Sequence, residues 1–274
     1  MVFCGAMLAT VCGTSHAGAI FLTGHDPDFH ASLGGNTTGA KNINTKAISY
    51  IMDSAFNPFL VVAPKFLFVE SRIQVPSGHT NGVNGIVASG YILGTDFDQA
   101  DATTLSTALN SLGQVGGYSA IVIASDFGGI LTQAELDILD ARSADIISFL
   151  NAGGGLYAMA ESDLGAGLTP GGGQFGFLPF IVSSAALNQS ELGNTVTAFG
   201  VSLGLSNSDV NGNASHNIFT GTGGMSVVDN DAQGRILSLA TRSQIGDGGV
   251  SPEPATLALL GLGLAGLGFS RRKK

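Results

Sequence analysis

The chain has 274 residues, with 11 Lys and Arg against 20 Asp and Glu, a net charge of −9, and 44% apolar side chains. That length accommodates one well-buried domain, and the acidic balance excludes nucleic acid as a partner, because phosphate binding needs clustered Lys and Arg. Forty-one glycines, no tryptophan and only 11% charged residues make a composition typical of exported proteins.

Val2 to Val11 is mostly apolar and Ala17-Gly18-Ala19 supplies small residues, so residues 1–19 are predicted to be a signal peptide, cut by signal peptidase after Ala17 or Ala19. Met1-Val2-Phe3 carries no basic residue, which places the expected start upstream. Val11 is too large for the position before a lipidated cysteine, so Cys12 is not expected to carry lipid. Both cysteines, Cys4 and Cys12, lie in this segment. The mature body is therefore expected to hold no disulfide, no thiolate metal site and no cysteine nucleophile. From Ile20 to Val250 it carries seven basic and 19 acidic residues, a net charge of −12, compatible with divalent cations or with simple solubility.

Ala19 to Thr23 reads as a first strand that ends in a polar Gly24-His25-Asp26 loop. Thr45 to Phe56 is predicted helical, Phe66 to Val69 a second strand, and Ala102 to Leu112 a helix. Tyr118 to Ala124 is a continuous apolar, β-branched run, as expected of a strand buried on both faces. Thr132 then reads as an N-cap with Glu135 three residues on, a capping box. The helix that follows places Leu136, Leu139, Ile146, Ile147 and Leu150 on one side and ends at Gly153 to Gly155. Leu156 to Ala160 is the next buried strand, and a strand, helix, strand unit of this kind implies parallel pairing through a right-handed crossover. Met225 to Val228 and Arg235 to Ala240 flank a turn-rich segment and read as a β-hairpin. Residues 20–245 thus form one α/β domain, and 246–251 a linker.

Three segments could carry chemistry. The loop after the first strand holds His25, Asp26, Asp28 and His30, and ligands of open α/β sheets bind at the carboxyl ends of strands. These side chains could hold a divalent metal, or His25 could face a substrate with Asp28 setting its tautomer; Pro27 fits a local turn equally well. In Ala160-Glu161-Ser162-Asp163, Ser162 could act as a nucleophile with His216 as base and Asp209 or Glu161 as orienter. The two flanking carboxylates would oppose a developing oxyanion, which favours a structural turn. Asp126, at the end of the Tyr118 strand, points to the same rim as His25 and Glu161. Asp209 to Asn213 begins like a calcium loop but lacks Gly at its sixth position and Glu at its twelfth, so a turn is expected. His79 sits in a Gly- and Asn-rich loop.

The tail, residues 252–274, reads as a sorting signal. Pro252, Glu253 and Pro254 precede an apolar run from 255 to 269, a span of about 22 Å as a helix against about 30 Å of hydrocarbon. Arg271, Arg272, Lys273 and Lys274 then close the basic end, 270–274, which is expected to stay on the cytoplasmic side. A transmembrane helix this short holds only temporarily, through bilayer thinning and snorkelling basic side chains. The triplet, the Leu/Gly/Ala helix and the basic end resemble the PEP-CTERM sorting signal of Gram-negative bacteria. That resemblance implies recognition and removal by an exosortase, a membrane-embedded transpeptidase, and a final place on the cell surface or in the extracellular matrix.

The order of a first strand, YSAIVIASDFG, a long helix, GGGLYAMAES and later SHNIFTGTGG resembles the class I glutamine amidotransferase-like fold, including its ThuA-like branch. It implies a flavodoxin-like three-layer α/β sandwich with a mostly parallel sheet, to which the C-terminal hairpin and the separate tail helix are added. The nucleophile turn of that fold corresponds to Glu161-Ser162-Asp163, without the cysteine that glutamine hydrolysis requires. Two classes remain: a non-catalytic binding or matrix protein, with extracellular polysaccharide as possible partner and no cofactor, or a hydrolase using the rim of the sheet.

Overall fold

The computed structural model describes residues 18–75, 78–161, 175–178, 182, 184–190 and 192–243. The predicted signal peptide up to Ala17, Ser162, the predicted linker, Pro252 to Pro254, the predicted helix over 255–269 and Arg271 to Lys274 lie outside the described residues. The first half of the chain runs β1 (Ala19–Thr23), α1 (Pro27–His30), α2 (Thr37–Ile51), β2 (Lys65–Val69), α3 (Val83–Ala88), β3 (Phe97–Ala100), α4 (Leu105–Ala108) and β4 (Tyr118–Ile123). The second half runs α5 (Gln133–Ala141), α6 (Ser143–Asn151), β5 (Gly155–Ala158), β6 (Ser184–Ser190), β7 (Thr195–Val196), α7 (Ala198–Ser202), β8 (Ala214–Phe219), β9 (Ser226–Asn230) and β10 (Ile236–Thr241). Among the described residues no helix is long and apolar enough to cross a membrane.

One mixed sheet organises the molecule, in the order β3-β2-β4-β5-β1-β10-β8-β6, with β9 pairing β10 and β7. The five strands from β3 to β1 are parallel. The residues of β1, β2, β4 and β5 are mostly apolar and almost wholly buried, which is why the sequence there shows continuous rather than alternating hydrophobicity, whereas edge strand β3 carries the half-buried Asp98 and Gln99. The expected parallel pairing of β4 with β5 is present, with Ile121 opposite Leu156 and Val122 opposite Tyr157. So is the hairpin, as β9 and β10. The strand order departs from the flavodoxin order 2-1-3-4-5. Strands β2 to β5 keep its first four places, but the chain's first strand, β1, occupies the fifth, between β5 and β10.

Three predicted helices differ from expectation. Helix α2 starts at Thr37, not Thr45, and stops at Ile51, before Phe56. Its start is fixed by Asn36, whose Oδ1 accepts from Gly39 N at 2.9 Å and whose Nδ2 donates to Ser208 O at 2.6 Å and Asn211 O at 2.9 Å. Thr37, Thr38, Gly39 and Asn42 are poor helix formers, so only this long-range clamp begins the helix there. The predicted 102–112 helix shrinks to α4 and a 3-10 turn over Leu109–Ser111. The capping box forms as expected, with Thr132 N donating to Glu135 Oε2 at 3.3 Å. The helix it opens breaks at Arg142, which reaches Ser106 O at 2.7 Å and Asn110 Oδ1 at 2.8 Å across to the neighbouring turn.

Candidate functional site

The carboxyl ends of β1, β4 and β5 meet the middle of β8. Strand β1 does not stop at Thr23. Its continuation pairs His25 with Ser215, and His216 N donates to Gly24 O at 2.8 Å while Ala160 N donates to His25 O at 3.1 Å. Gly24 is required there, since a Cβ would lie 1.8 Å from Asn217 O. This close approach brings a late strand against the first loop and buries acidic and imidazole side chains together.

His216 is 2% exposed, and its Nε2 lies 3.3 Å from Asp26 Oδ2. The ring of Phe127 stacks on it at 4.0 Å between centroids, tilted by 29°. Burial lowers the His216 pKa to about 4 against the attraction of Asp126 and Asp28, so the imidazole is neutral at pH 7. Burial likewise pushes Asp26 well above the usual carboxylate range, opposed by His30 and His25. His30 Nδ1 donates to Leu33 O at 3.2 Å and its Nε2 stands 3.4 Å from Asp26 Oδ1. His216 Nε2 thus faces Asp26, and His216 Nδ1 is buried with no hydrogen-bond partner among the described residues.

A second pair lies alongside. His25 Nε2 meets Asp229 Oδ2 at 2.9 Å, with both residues at most 3% exposed, and Thr23 Oγ1 shares a 2.9 Å hydrogen bond with Ser238 Oγ. Asp28 turns the other way: it accepts from Ser125 Oγ at 2.7 Å, Ser125 N at 2.9 Å and Phe29 N at 3.0 Å. Asp126 is buried at the end of β4, and its N donates to Ala160 O at 2.9 Å. Glu161 is buried too. Its Oε2 accepts from Phe175 N at 2.6 Å, its N donates to Asn217 Oδ1 at 3.1 Å, and burial raises its pKa well above the carboxylate range.

The structure brings several of the candidate residues to one rim but with other partners than the sequence suggested. Asp26, rather than Asp209 or Glu161, faces His216; Asp209 instead accepts from Ser206 N at 2.8 Å and Ser206 Oγ at 2.7 Å. His25 is oriented by Asp229 and not by Asp28. Ser162, the proposed nucleophile, lies outside the described residues. Among the described residues no three His, Asp or Glu side chains converge as a metal-binding group: His25, Asp28 and His30 each turn to a different partner. His79 hydrogen-bonds Gly129 O through Nδ1 at 2.8 Å and lies against Phe127, so it belongs to the same rim. Asp229 and Phe127 were missed, and no local sequence signal marks either.

Eight buried side-chain polar atoms lack a hydrogen bond among the described residues, and six belong to this cluster: Asp26 Oδ1, Glu161 Oε1, Ser215 Oγ, His216 Nδ1, Asn217 Nδ2 and Asp229 Oδ1. Unsatisfied polar atoms are costly when buried and mark where a ligand or ordered water completes a structure. Fold and site together define a mixed α/β protein with a closed acid–imidazole cluster at the carboxyl ends of its parallel strands. The family model of the PEP-CTERM protein-sorting motif matches residues 252–273. That motif supports export, processing by an exosortase and a cell-surface or extracellular destination. No curated protein and no solved structure matches the chain.

Proposed function

We propose that this is an exosortase substrate whose α/β body, once freed of its tail, has a non-catalytic binding role at the cell surface or in the extracellular matrix, with polysaccharide as its partner. The observation that carries the sorting half is the match over residues 252–273. The binding half is supported by chemistry. The resemblance of the body to the amidotransferase-like fold calls for a thiolate, and the only cysteines, Cys4 and Cys12, leave with the signal peptide. The cluster that would support a nucleophile is also closed, with His216, Asp26 and Glu161 at most 2% exposed. Signal-peptidase cleavage after Ala17 fits the fold better than cleavage after Ala19, because Ala19 opens β1 and pairs with Gly155. Mass spectrometry of surface protein is expected to give a first residue of Gly18 and no tail. In cells lacking the sorting transpeptidase, or with Pro252 to Pro254 changed to alanine, the full tail should remain and the protein should stay with the membrane. Surface protein that retains Arg271 to Lys274 would overturn the sorting reading.

A hydrolase is the second reading, and one observation favours it: His216 Nδ1 is a buried nitrogen with no hydrogen-bond partner among the described residues, on an imidazole whose other nitrogen faces Asp26. The two readings separate on p-nitrophenyl acyl esters. Binding alone predicts equal background turnover for wild type and His216→Ala, whereas a loss of tenfold or more in the variant would establish a base.

A further inference from the structure

The amino ends of the parallel strands, opposite the acid–imidazole cluster, carry the chain's entry and exit together. Ile20 pairs with Thr241, so the start of β1 and the end of β10 lie side by side. Arg242 then stacks over Tyr50 at 4.2 Å and Phe56 at 3.9 Å and binds Asp53 Oδ2 at 2.9 Å, which fixes the exit at Ser243 beside the end of α2. The same end presents bare apolar side chains. Val61 is 89% exposed and Val115 87%, and Gly116 N donates to Val62 O at 2.8 Å, so the two valines sit on adjoining turns. Phe56 and Val62 are about 40% exposed beside them. Isolated exposed apolar residues are ordinary, but valines clustered on tight turns beside the chain exit are not explained by the fold.

We infer that this end is a membrane-apposed face: while the tail holds the protein, Val61, Val62, Val115 and Phe56 rest on the lipid surface and the acid–imidazole cluster points away from it. The inference rests on the reading of 255–269 as a membrane-inserting helix. Eleven residues, 244–254, separate Ser243 from that helix, a reach of at most about 40 Å. A tether this short holds the face at an effective concentration of order millimolar, so a few valines suffice for contact that would be negligible in free solution. Apolar side chains are the fitting contact because the body, at −12, is repelled by anionic lipid and a polybasic surface is absent from it. Cutting the tail removes the tether and with it the contact, which makes release from the membrane complete.

The absence of cysteine in the mature chain makes the test direct. Val115→Cys, and Ile73→Cys near the opposite end, 63% exposed, are labelled with an environment-sensitive dye in the mature protein running to Lys274, reconstituted in phosphatidylethanolamine/phosphatidylglycerol vesicles. Iodide quenching is expected to be at least threefold weaker at position 115 than at 73. The difference should vanish in a chain ending at Ser251 on the same vesicles, and in the tailed protein when Val61→Asp is added. Flotation with vesicles but equal quenching at both sites overturns the inference alone. Failure to float overturns the tail reading and the inference with it. Protection of position 115 in the tail-less protein without vesicles would assign the face to self-association and overturn it as well.

Discussion

Asp28→Ala is expected to lower the unfolding free energy by about 3–5 kcal/mol, read from urea denaturation at pH 7. Asp28 is fully buried at the exit of β1 and binds the exit of β4: Ser125 N, Ser125 Oγ and Phe29 N all donate to its carboxylate. Ser125 Oγ in turn accepts from Gly129 N at 3.0 Å. Alanine leaves two buried amide donors without an acceptor, each at a cost of about 1–3 kcal/mol, while the Ser125 hydroxyl keeps Phe127 O at 3.1 Å as its acceptor. The same contact explains Gly129, while Gly128 is needed for its backbone conformation. Gly128 has a φ of 88°, and a Cβ on Gly129 would lie 2.1 Å from Asp28 Oδ2. Asp28→Asn retains one acceptor and should lose about half as much. A loss under 1 kcal/mol for the alanine variant would show that the β1 and β4 exits are held by something else.

Raising the pH from 6.5 to 8 is expected to cost about 2 kcal/mol of stability through Glu70 alone, and Glu70→Gln should remove that part of the slope. Glu70 is completely buried at the end of β2. Burial and the neighbouring Asp28 push its pKa up to about 8, against hydrogen bonds from Gly82 N, Val83 N and Gln99 Nε2. Between about pH 4.5 and 8 the folded state therefore holds a proton that the unfolded chain has released, so stability falls as pH rises. His216 acts mainly below the interval from pH 6.5 to 8. Its folded pKa of about 4 lies below its ordinary 6.5, so the unfolded chain takes up the proton first as pH falls below 6.5, and stability is lost on that side. Asp26 and Glu161, both raised by burial, slope the same way as Glu70, and the Gln variant separates them from it. A wild-type profile flat from pH 6.5 to 8 would mean that Glu70 is ionised in the fold.

The parallel core was legible because its physics is local. A strand covered on both faces must be apolar at every position, and β1, β4 and β5 announce themselves that way. The Thr132–Glu135 box is likewise a matter of four consecutive residues. Helix α2 was misread because its first turn depends on Asn36 reaching Ser208 and Asn211 far along the chain. Strands β3, β6 and β8 are short or polar, and their pairing rather than their composition makes them strands. In the site, individual residues of the β1 loop could be singled out as chemical types near a strand end. Their partners could not, since His25 and Asp229 are 204 positions apart and no local spacing encodes such a contact.

The sequence by itself determined the destination and a negative: a tail with Pro252-Glu253-Pro254, an apolar run and a basic end, and a body left without a thiol. Those are covalent and compositional facts, readable without any fold. Only the tertiary structure decided which carboxylate meets which imidazole, that the cluster is buried, and that the described body begins and ends at the opposite end of the sheet. Burial is a property of the whole assembly, and it alone converts ordinary Asp, Glu and His side chains into raised carboxylic acids and a lowered imidazole.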